Sequence, residues 1–244
     1  MSNPAAVIIG AGDATGGAIA RAFAAEGLTA CVNRRARNAD QLEALAQSIR
    51  DEGHQARAFP GDARVEDEMI ALFDQVEAEV GPVEVAVFNI GANVNFPIAE
   101  TTVRVYTKVW EMACLGGFLM GREAAKRMAP RGRGTIIFTG ATASLRGGPG
   151  FAAFSGAKGA LRMLAQSMAR ELGPQGIHVA HTIIDGAIDT DFIRQRLGDG
   201  FDDAKAKDLV LNPEAIATNY VMLHRQPRTA WTHELDLRPW GEKW

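Results

Sequence analysis

The sequence has little of what a metalloprotein, a disulfide-stabilised domain or a nucleic-acid-binding protein needs. Among its 244 residues there are only two cysteines, Cys31 and Cys114, and both lie in apolar segments without CxxC spacing or a nearby histidine cluster. Neither a disulfide framework nor a metal site is therefore expected. The formal charge is only −3 and acids are mixed with bases, so no basic face for nucleic acid or an anionic membrane is predicted. A small-molecule ligand remains the expected partner.

Long apolar runs and linker-like stretches are missing as well. The first apolar run, residues 5–9, has no basic segment before it and is far too short for a signal peptide or a membrane span. Together with the cysteine usage, this favours a reducing, cytoplasmic location. No stretch rich in Gly, Ser, Pro or charge divides the chain, so we expect residues 1–244 to form one domain.

What the sequence does have is an alternation of short apolar runs with amphipathic stretches. The runs predict strands that are buried on both faces, at residues 6–9, 28–32, 57–59, 83–88, 135–139 and 179–184, with a last short strand near 234–237. The stretches between them repeat apolar residues about every 3.6 positions and predict helices at residues 19–26, 39–51, 66–79, 103–128 and 160–172, with another from Pro213. This order predicts an α/β protein with a three-layer Rossmann fold, a doubly wound parallel sheet of about seven strands.

Two features of the connections add to this prediction. Glycines follow four of the predicted helices, where a left-handed C-cap favours glycine, namely Gly27, Gly53, Gly81 and Gly173. After residue 191 the pattern loosens into a polar stretch. We expect residues 191–212 to form a substrate loop or lid within the single domain.

The first predicted βα turn carries a glycine-rich segment, residues 10–17, which reads Gly-Ala-Gly-Asp-Ala-Thr-Gly-Gly. A tight turn needs a residue without Cβ, and a helix N-terminus offers backbone N–H groups to a phosphate. At the first turn of a long βαβ series this pattern predicts a dinucleotide site, with a bare structural turn as the alternative. The expected contacts are Gly10, Gly12, Asp13, Thr15 and Gly16.

The end of the second predicted strand indicates which dinucleotide binds. The residues there are Asn33, Arg34 and Arg35, and no acid is present. A carboxylate at this place would bind the ribose 2′-hydroxyl of NAD(H), whereas guanidinium groups pair with the 2′-phosphate of NADP(H). NADP(H) is therefore favoured over NAD(H). The alternative is a solvated basic helix start, whose positive field Asp13 partly offsets.

Together with later motifs, these features make the sequence resemble the short-chain dehydrogenase/reductase family over essentially its whole length. The resemblance implies that Asp62, with Ala63 beside it, contacts the adenine of the cofactor. It also implies that Asn89 and Gly91 correspond to the Asn-Ala-Gly segment after the fourth strand. These positions extend the expected cofactor site beyond the glycine-rich turn.

The resemblance also covers the nicotinamide side. Lys158 stands at the lysine of the family's Tyr-x-x-x-Lys motif, and residues 186–190 resemble the loop that meets the nicotinamide carboxamide. Within this loop Ile188 and Thr190 are expected to contact the cofactor. The family commonly forms dimers or tetramers through helices that correspond to residues 103–128 and 151–172 here, so a homodimer or homotetramer is expected.

Three catalytic positions of the family are occupied differently. The tyrosine position, four residues before the lysine, holds Phe154, the serine position holds Ala141, and the helix asparagine position holds Cys114. In the family the tyrosine hydroxyl gives or takes a proton while the nicotinamide C4 exchanges hydride. A benzene ring has no titratable proton, so Lys158 would keep only the role of holding the nicotinamide ribose.

Other residues are candidates for the missing chemistry, because they follow strands at the edge where this architecture places its cleft. Thr142 could orient a carbonyl by a hydrogen bond, or it could form an ordinary turn. Asp185 could act as an acid or base if it is desolvated, or it could make an Asx turn or a helix cap. Tyr106 and Tyr220 lie in predicted helices and are expected to pack. The candidate catalytic residues are thus Lys158, Thr142 and Asp185.

Two functions from different classes remain open at this point. The chain is expected to be an NADP(H)-dependent oxidoreductase that acts on a small carbonyl, alcohol or related substrate and uses a substitute proton donor. The alternative is a protein that binds NADP(H) without turning it over, as a sensor or an assembly subunit. The enzyme is favoured because the cofactor contacts reach the nicotinamide end, at Lys158 and Thr190, which a pure adenine anchor would not need.

Overall fold

The computed structural model describes residues 3–242, which form one domain around a single parallel sheet. Its seven strands are arranged in the order β3-β2-β1-β4-β5-β6-β7. The strands are β1 (Ala5–Ile9), β2 (Thr29–Asn33), β3 (Ala56–Ala58), β4 (Val83–Phe88), β5 (Gly134–Ala141), β6 (Ile177–Ile184) and β7 (Glu234–Leu237). Every neighbouring pair is parallel. The predicted seven-stranded, doubly wound sheet is confirmed.

Helices cover both faces of the sheet. They are α1 (Thr15–Ala25), α2 (Ala39–Asp51), α3 (Glu66–Glu79), α4 (Val103–Trp110), α5 (Gly116–Met128), α6 (Ala152–Leu172), α7 (Asp191–Leu197), α8 (Gly200–Ala206) and α9 (Pro213–Arg225). Alternate residues of each strand enter opposite cores, because successive strand side chains point to opposite faces. Ile8 packs with the helices on one face and Val7 with those on the other. This is the predicted three-layer architecture.

Two local predictions were wrong. The stretch 103–128 is not one regular α-helix, because a π turn at Glu111–Leu115 separates α4 from α5. A π turn holds an extra residue and is frequent at functional sites; here it contains Cys114. Gly173 is not a left-handed cap, since it has helical angles, and the positive φ falls instead on Gly176, at 82°.

The stretch after β6 is more regular than its polar sequence indicated. Residues 191–212 contain α7 and α8, and an isolated parallel bridge joins Ile188 to Leu211. Asp189 anchors the segment through ion pairs with Arg194 at 2.9 Å and Lys205 at 2.6 Å. The segment is thus a pair of short helices tethered beside the carboxyl ends of the strands.

The carboxyl ends of β1, β4, β5 and β6 lie next to each other along one edge of the sheet. In an open parallel sheet this edge is where ligands bind, beside the point at which the strand order reverses. Within residues 3–242, no helix combines the length and the apolar character that a membrane crossing requires.

Candidate functional site

Two adjoining cavities run along this edge, with volumes of about 660 and 250 Å³. Both are lined by the glycine-rich turn after β1 and the segment after β4, and the shared residues are Gly10, Gly12, Asn89, Ile90 and Gly91. The larger cavity extends toward β5 and β6, and the smaller one extends toward β2. Together they make one elongated groove across the centre of the sheet edge.

The turn after β1 is shaped by close backbone approach. Gly10 has a φ of 86°, and a Cβ on it would lie 2.9 Å from the carbonyl oxygen of Asn89. A Cβ on Gly16 would lie 2.4 Å from the carbonyl oxygen of Gly10. At Gly12, by contrast, a Cβ would meet nothing within 4 Å and would stand in the groove. The turn therefore leaves an open cradle at the N-terminus of α1, where Thr15 begins the helix, and this cradle fits a pyrophosphate.

Asparagine side chains tie the cradle to the neighbouring strands. Asn89 Nδ2 donates a hydrogen bond to the carbonyl oxygen of Gly10 at 3.3 Å. Asn33 Nδ2 donates to the carbonyl oxygens of Phe59 at 2.8 Å and Gly61 at 3.3 Å. Both asparagines line the groove, but both amides also hold the backbone that shapes it. Their predicted cofactor contacts would come in addition to these structural bonds.

The smaller cavity is rich in guanidinium groups. Arg34 and Arg35 line it as predicted, and Arg34 pairs with Asp13 at 3.3 Å. Arg64, which sequence reasoning missed, also lines it and pairs with Asp62 at 2.6 Å.

Two pKa values are shifted in this cavity. The hydrogen bond from Arg64 lowers the pKa of Asp62 below its usual value. Burial, and to a smaller extent the charge of neighbouring arginines, lowers the pKa of Arg35. Ala63 and Asn38 complete this wall. The cluster could have been found from the sequence only by knowing that Arg64 turns back toward the end of β2.

Lys158 is the buried cation of the larger cavity. Its side chain is 2% exposed, and its Nζ donates hydrogen bonds to the carbonyl oxygens of Thr139 at 2.7 Å and Ile90 at 2.9 Å. Desolvation lowers the pKa of Lys158 to about 7, and the electrostatic influence of Cys114 opposes this shift. Two of the three N–H donors of Nζ therefore bind backbone, and the third has no partner among residues 3–242.

An apolar cluster stands beside this lysine. Phe154, Cys114 and Ala141 pack in one group with Ala residues of α6 and the turn after β5. The centroid of the Phe154 ring lies 6.0 Å from Lys158 Nζ, within the range of a cation–π contact. Burial raises the pKa of the Cys114 thiol. The three positions that the family resemblance implied to be polar thus lie together, and here they bury apolar surface.

The loop after β6 brings its predicted contacts to the larger cavity. Ile188 and Thr190 both line it. Thr190 caps α7, because its Oγ1 accepts a hydrogen bond from the backbone N–H of Ile193 at 3.2 Å. The hydroxyl proton of Thr190 is left for a further acceptor, as a carboxamide oxygen would provide.

Thr142 and Asp185 are hydrogen-bonded to each other, but only Thr142 lines the cavity. Thr142 lines the larger cavity, and its hydroxyl donates to Asp185 Oδ1. The Asp185 side chain is 1% exposed, is not among the lining residues, and forms ion pairs with Arg238 at 3.2 Å and Arg146 at 3.4 Å. Since a hydroxyl has one proton, Thr142 as placed cannot also donate to a substrate carbonyl. The expected catalytic roles of both residues are thus not supported by this geometry.

Other polar side chains of the sheet and of the helices around it serve the fold. Tyr220 is fully buried and shares a hydrogen bond with Thr139 at 2.7 Å, and burial raises its pKa. Ser144 Oγ accepts from the backbone N–H of Ala141 at 3.1 Å. His181 lies in the core of β6, where burial lowers its pKa to about 4. Neither Tyr220 nor the half-exposed Tyr106 lines the larger cavity, so no phenol is presented there by the described chain.

Sequence reasoning missed the outer wall of the larger cavity. Its apolar part consists of aromatic and aliphatic side chains from the start of α6 and from α7, namely Phe151, Phe192 and Ile193. Arg146, two residues after the turn at Thr142–Ser144, contributes the charge. Only the position of these residues after strands could have indicated them, because no motif contains them.

Comparison with known proteins identifies the family of the chain. The family model described as short chain dehydrogenase matches residues 4–199. The curated short-chain dehydrogenase/reductase eriH of Hericium erinaceus is 32% identical over 219 residues, 87% of this chain and 86% of its own length. The cis-4-hydroxycyclohexanecarboxylate dehydrogenase of Sinomonas cyclohexanicum is 31% identical over 189 residues, 77% of this chain and 74% of its own length.

Solved structures share the whole fold. A short-chain dehydrogenase from Rhodopseudomonas palustris is 48% identical, with a TM-score of 0.83, over 98% of this chain and 100% of that one. A variant of actinorhodin polyketide ketoreductase with NADPH is 25% identical, with a TM-score of 0.88, over 97% of this chain and 96% of that one. The predicted Rossmann domain is thereby confirmed as an architecture.

Proposed function

The chain belongs to the short-chain dehydrogenase/reductase family, and from this premise we propose that it is an NADP(H)-dependent oxidoreductase that interconverts a small carbonyl compound and its alcohol. The observation that carries the proposal is the continuous groove, which begins at the guanidinium groups of Arg34 and Arg35 and ends at the buried cation of Lys158. A site for the adenosine half alone would not need the second cavity.

NADP(H) is the proposed dinucleotide because the smaller cavity is lined by three guanidinium groups, from Arg34, Arg35 and Arg64. Within residues 3–242, Asp62 is the one residue of opposite charge that lines the cavity, and it pairs with Arg64. A 2′-phosphate supplies the anion that this surplus of positive charge lacks, through charge-assisted hydrogen bonds. The similar ketoreductase was solved with NADPH, which agrees with this choice.

The cofactor contacts of the proposal follow the groove. The turn at Gly10, Gly12 and Gly16 would hold the pyrophosphate, Asn89 and Gly91 would border the central part, and Ile188 and Thr190 would meet the carboxamide. Bound NADPH supplies the hydride for reduction of a carbonyl carbon. The protein must then supply one proton to the carbonyl oxygen.

We assign this proton to Lys158. Phe154 has no ionisable group, and Thr142 donates its hydroxyl proton to Asp185. Ser155 also lines the cavity, and its Oγ has no hydrogen-bond partner among residues 3–242, but a serine hydroxyl is a much weaker acid than an ammonium group. Lys158 keeps one N–H free of partners among residues 3–242 and lies in the wall of the cavity. With a pKa of about 7, its ammonium form can release a proton near neutral pH, as general acid catalysis requires. In the direction of alcohol oxidation the neutral amine would accept the proton.

The test is NADPH consumption against a panel of aldehydes, ketones, imines and activated alkenes, with NADPH affinity measured on the same samples. Turnover of one carbonyl class, with NADPH bound more tightly than NADH, is expected. Tight NADPH binding with no turnover across the panel would contradict the enzyme and favour the alternative, a dinucleotide-binding sensor or assembly subunit.

Two accompanying proposals concern assembly and access. Large apolar side chains are exposed before and along α4 to α6, with Ile98 73% and Val103 83% exposed, and such a surface is typical of an interface. We propose a homodimer or homotetramer; sedimentation as a monomer at micromolar concentration would contradict it.

We also propose that residues 191–212 act as a lid, because Phe192 and Ile193 of α7 form part of the cavity wall.

A further inference from the structure

We propose that Arg146 binds a carboxylate of the substrate, and that Asp185 positions Arg146 for this purpose. This rests on the proposed function, because it names the class of compound that would occupy the larger cavity. The substrate would have a mainly apolar body, a carbonyl or hydroxyl group near Lys158, and a carboxylate near Arg146.

The charges that line the larger cavity support an anionic substrate. Apart from Asp13, which belongs to the phosphate turn and pairs with Arg34, the charged lining residues of this cavity are Arg146 and Lys158. Arg146 carries a permanent positive charge, Lys158 carries one in its protonated form, and no carboxylate lines the cavity beyond Asp13 in the described chain. A neutral, apolar substrate would gain no contact with the Arg146 guanidinium, whereas a carboxylate would pair with it.

The walls indicate the rest of the ligand. Phe151 and Phe154 contribute rings from the start of α6, and Phe192 contributes a ring from α7. Such walls favour an aliphatic or aromatic body that leaves little polar surface to be desolvated. A ring or chain with one carboxylate would satisfy both the apolar walls and the single guanidinium, and Asn93 and Ser155, which also line the cavity, would be left for the carbonyl or hydroxyl group of the substrate.

Arg146 is held from behind the cavity wall by the carboxylate of Asp185. Asp185 stands at the carboxyl end of β6, is 1% exposed, and contacts Arg146 Nη2 through its Oδ2 at 3.4 Å. The same oxygen lies 3.2 Å from Arg238 Nη2, and the other accepts the Thr142 hydroxyl. The hydrogen bond from Thr142 orients the carboxylate through Oδ1. Oδ2 accepts no hydrogen bond within the described residues, so it acts on Arg146 as an ion-pair partner that attracts one edge of the guanidinium.

The geometry leaves the rest of Arg146 available. Its side chain is 45% exposed, and the contact with Asp185 has a length of 3.4 Å, longer than a normal charge-assisted hydrogen bond. A planar guanidinium can pair with one carboxylate along one edge and present another edge to a second. This arrangement gives Asp185 a role although it does not line the cavity. Its carboxylate orients the Arg146 guanidinium, which faces the substrate.

The test measures ligand binding, so that it does not depend on turnover. Protein saturated with NADPH is titrated calorimetrically with benzoate and cyclohexanecarboxylate, and with benzamide and cyclohexanecarboxamide, which have the same shape without the charge. The wild type is expected to bind the acids about tenfold to a hundredfold more tightly than the amides, the range of one charge-assisted contact. No preference for the acids would overturn the proposal.

Variants locate the effect. Arg146→Gln is expected to abolish the preference while amide and NADPH affinities stay within about twofold, and Arg146→Lys is expected to restore part of it. Asp185→Asn, the positioning variant, is expected to weaken acid binding with amide binding unchanged. Arg196→Gln is the matched control, because Arg196 is an exposed arginine of α7 that does not line the cavity. An equal loss of acid and amide binding in Arg146→Gln would contradict the proposal.

The outcome separates this inference from the proposed function. Equal turnover of keto acids and their methyl esters would overturn the role of Arg146 and leave the oxidoreductase intact. A preference for acids that depends on Arg146, found in a protein without turnover, would support the anion site and contradict the enzyme.

Discussion

The two ends of the groove differ in what they depend on. At the adenosine end the site is built from backbone shape and from arginines, and Gly10, Gly16 and Arg34 lie where the sequence motifs implied. At the reaction end Phe154, Cys114 and Ala141 form an apolar cluster, and the Phe154 ring lies beside Lys158. A pyrophosphate can be bound by backbone N–H groups, which every residue except proline provides, whereas proton transfer needs one particular side chain. One end can therefore change its chemistry while the other keeps its ligand.

The largest effect is expected at the reaction end. Lys158→Met should lower turnover of the preferred carbonyl substrate by about 10²- to 10⁴-fold, the contribution of a positioned acid. NADPH affinity should fall much less, because the pyrophosphate cradle and the arginines of the smaller cavity are untouched. Single-turnover kinetics with saturating NADPH measures the first quantity, and fluorescence titration measures the second.

The pH dependence of the stability of Lys158→Met tests the depressed pKa of Lys158 independently of turnover. The folded pKa of about 7 lies below the ordinary value of 10.5, so the unfolded chain binds more protons between these values and wild-type stability rises with pH across that window. The variant lacks this rise. If its melting temperature kept the same pH dependence as the wild type, the depressed pKa of Lys158 would be contradicted.

The next effect is expected at the adenosine end. Arg34→Asp should weaken NADPH binding about tenfold to a hundredfold and leave NADH binding unchanged or improved, because the new carboxylate repels the 2′-phosphate and can accept from the 2′-hydroxyl. Arg37→Asp provides the control, since Arg37 is exposed and does not line the smaller cavity. Equal weakening of both dinucleotides by Arg34→Asp would contradict the assignment of NADP(H).

Phe154→Tyr should raise the rate of carbonyl reduction by a smaller factor. This variant tests whether the reaction end still has the geometry that the family's tyrosine needs. The added hydroxyl would stand beside Lys158 Nζ, whose distance from the Phe154 ring centroid is 6.0 Å. We expect carbonyl reduction to rise by up to about tenfold if the phenol can reach the substrate oxygen. Phe151→Tyr, a ring of the same cavity, serves as the control. An equal gain in both variants would point to general polarity and not to the position of the hydroxyl.

The smallest effect concerns the strand that supports the reaction end. Burial lowers the pKa of His181 to about 4 from 6.5, so the stability that its neutral form contributes is present above pH 6.5 and is lost as pH falls toward 4. At pH 5 the stability lost through His181 amounts to about 2 kcal/mol at most, since one pKa unit corresponds to about 1.4 kcal/mol. His181→Gln should therefore reduce the loss of melting temperature between pH 7 and pH 5 by several degrees in calorimetry. An unchanged loss would mean that other groups cause it.

Much of the fold could be predicted because its signals are local. Apolar runs such as 83–88 specify strands by themselves, and alternation with amphipathic stretches specifies the parallel order. The π turn at Glu111–Leu115 could not be predicted, since it inserts one residue into a helix whose apolar spacing is otherwise continuous. Gly173 was misplaced for a similar reason, because the helix is extended by a further turn to Gly176.

The site was predictable where it is made of contiguous motifs. The cradle after β1 and the arginines after β2 line the groove, whereas Arg64 and Arg146 were missed because neither belongs to a motif. Arg64 pairs with Asp62, two residues before it, and Arg146 contacts Asp185, which is distant in sequence. Asp185 is a different case. Its place at the end of β6 was predicted, but its contacts with Arg146 and Arg238 depend on two loops that only the folded structure brings together.

The pH dependence of carbonyl reduction tests the central claim most directly. If Lys158 supplies the proton, the single-turnover rate with saturating NADPH should be constant below its pKa of about 7 and fall about tenfold for each pH unit above it, and Lys158→Met should show a low rate without this limb. A wild-type rate that stays constant from about pH 6 to about pH 9, or a Lys158→Met variant that keeps the wild-type rate and profile, would contradict the account.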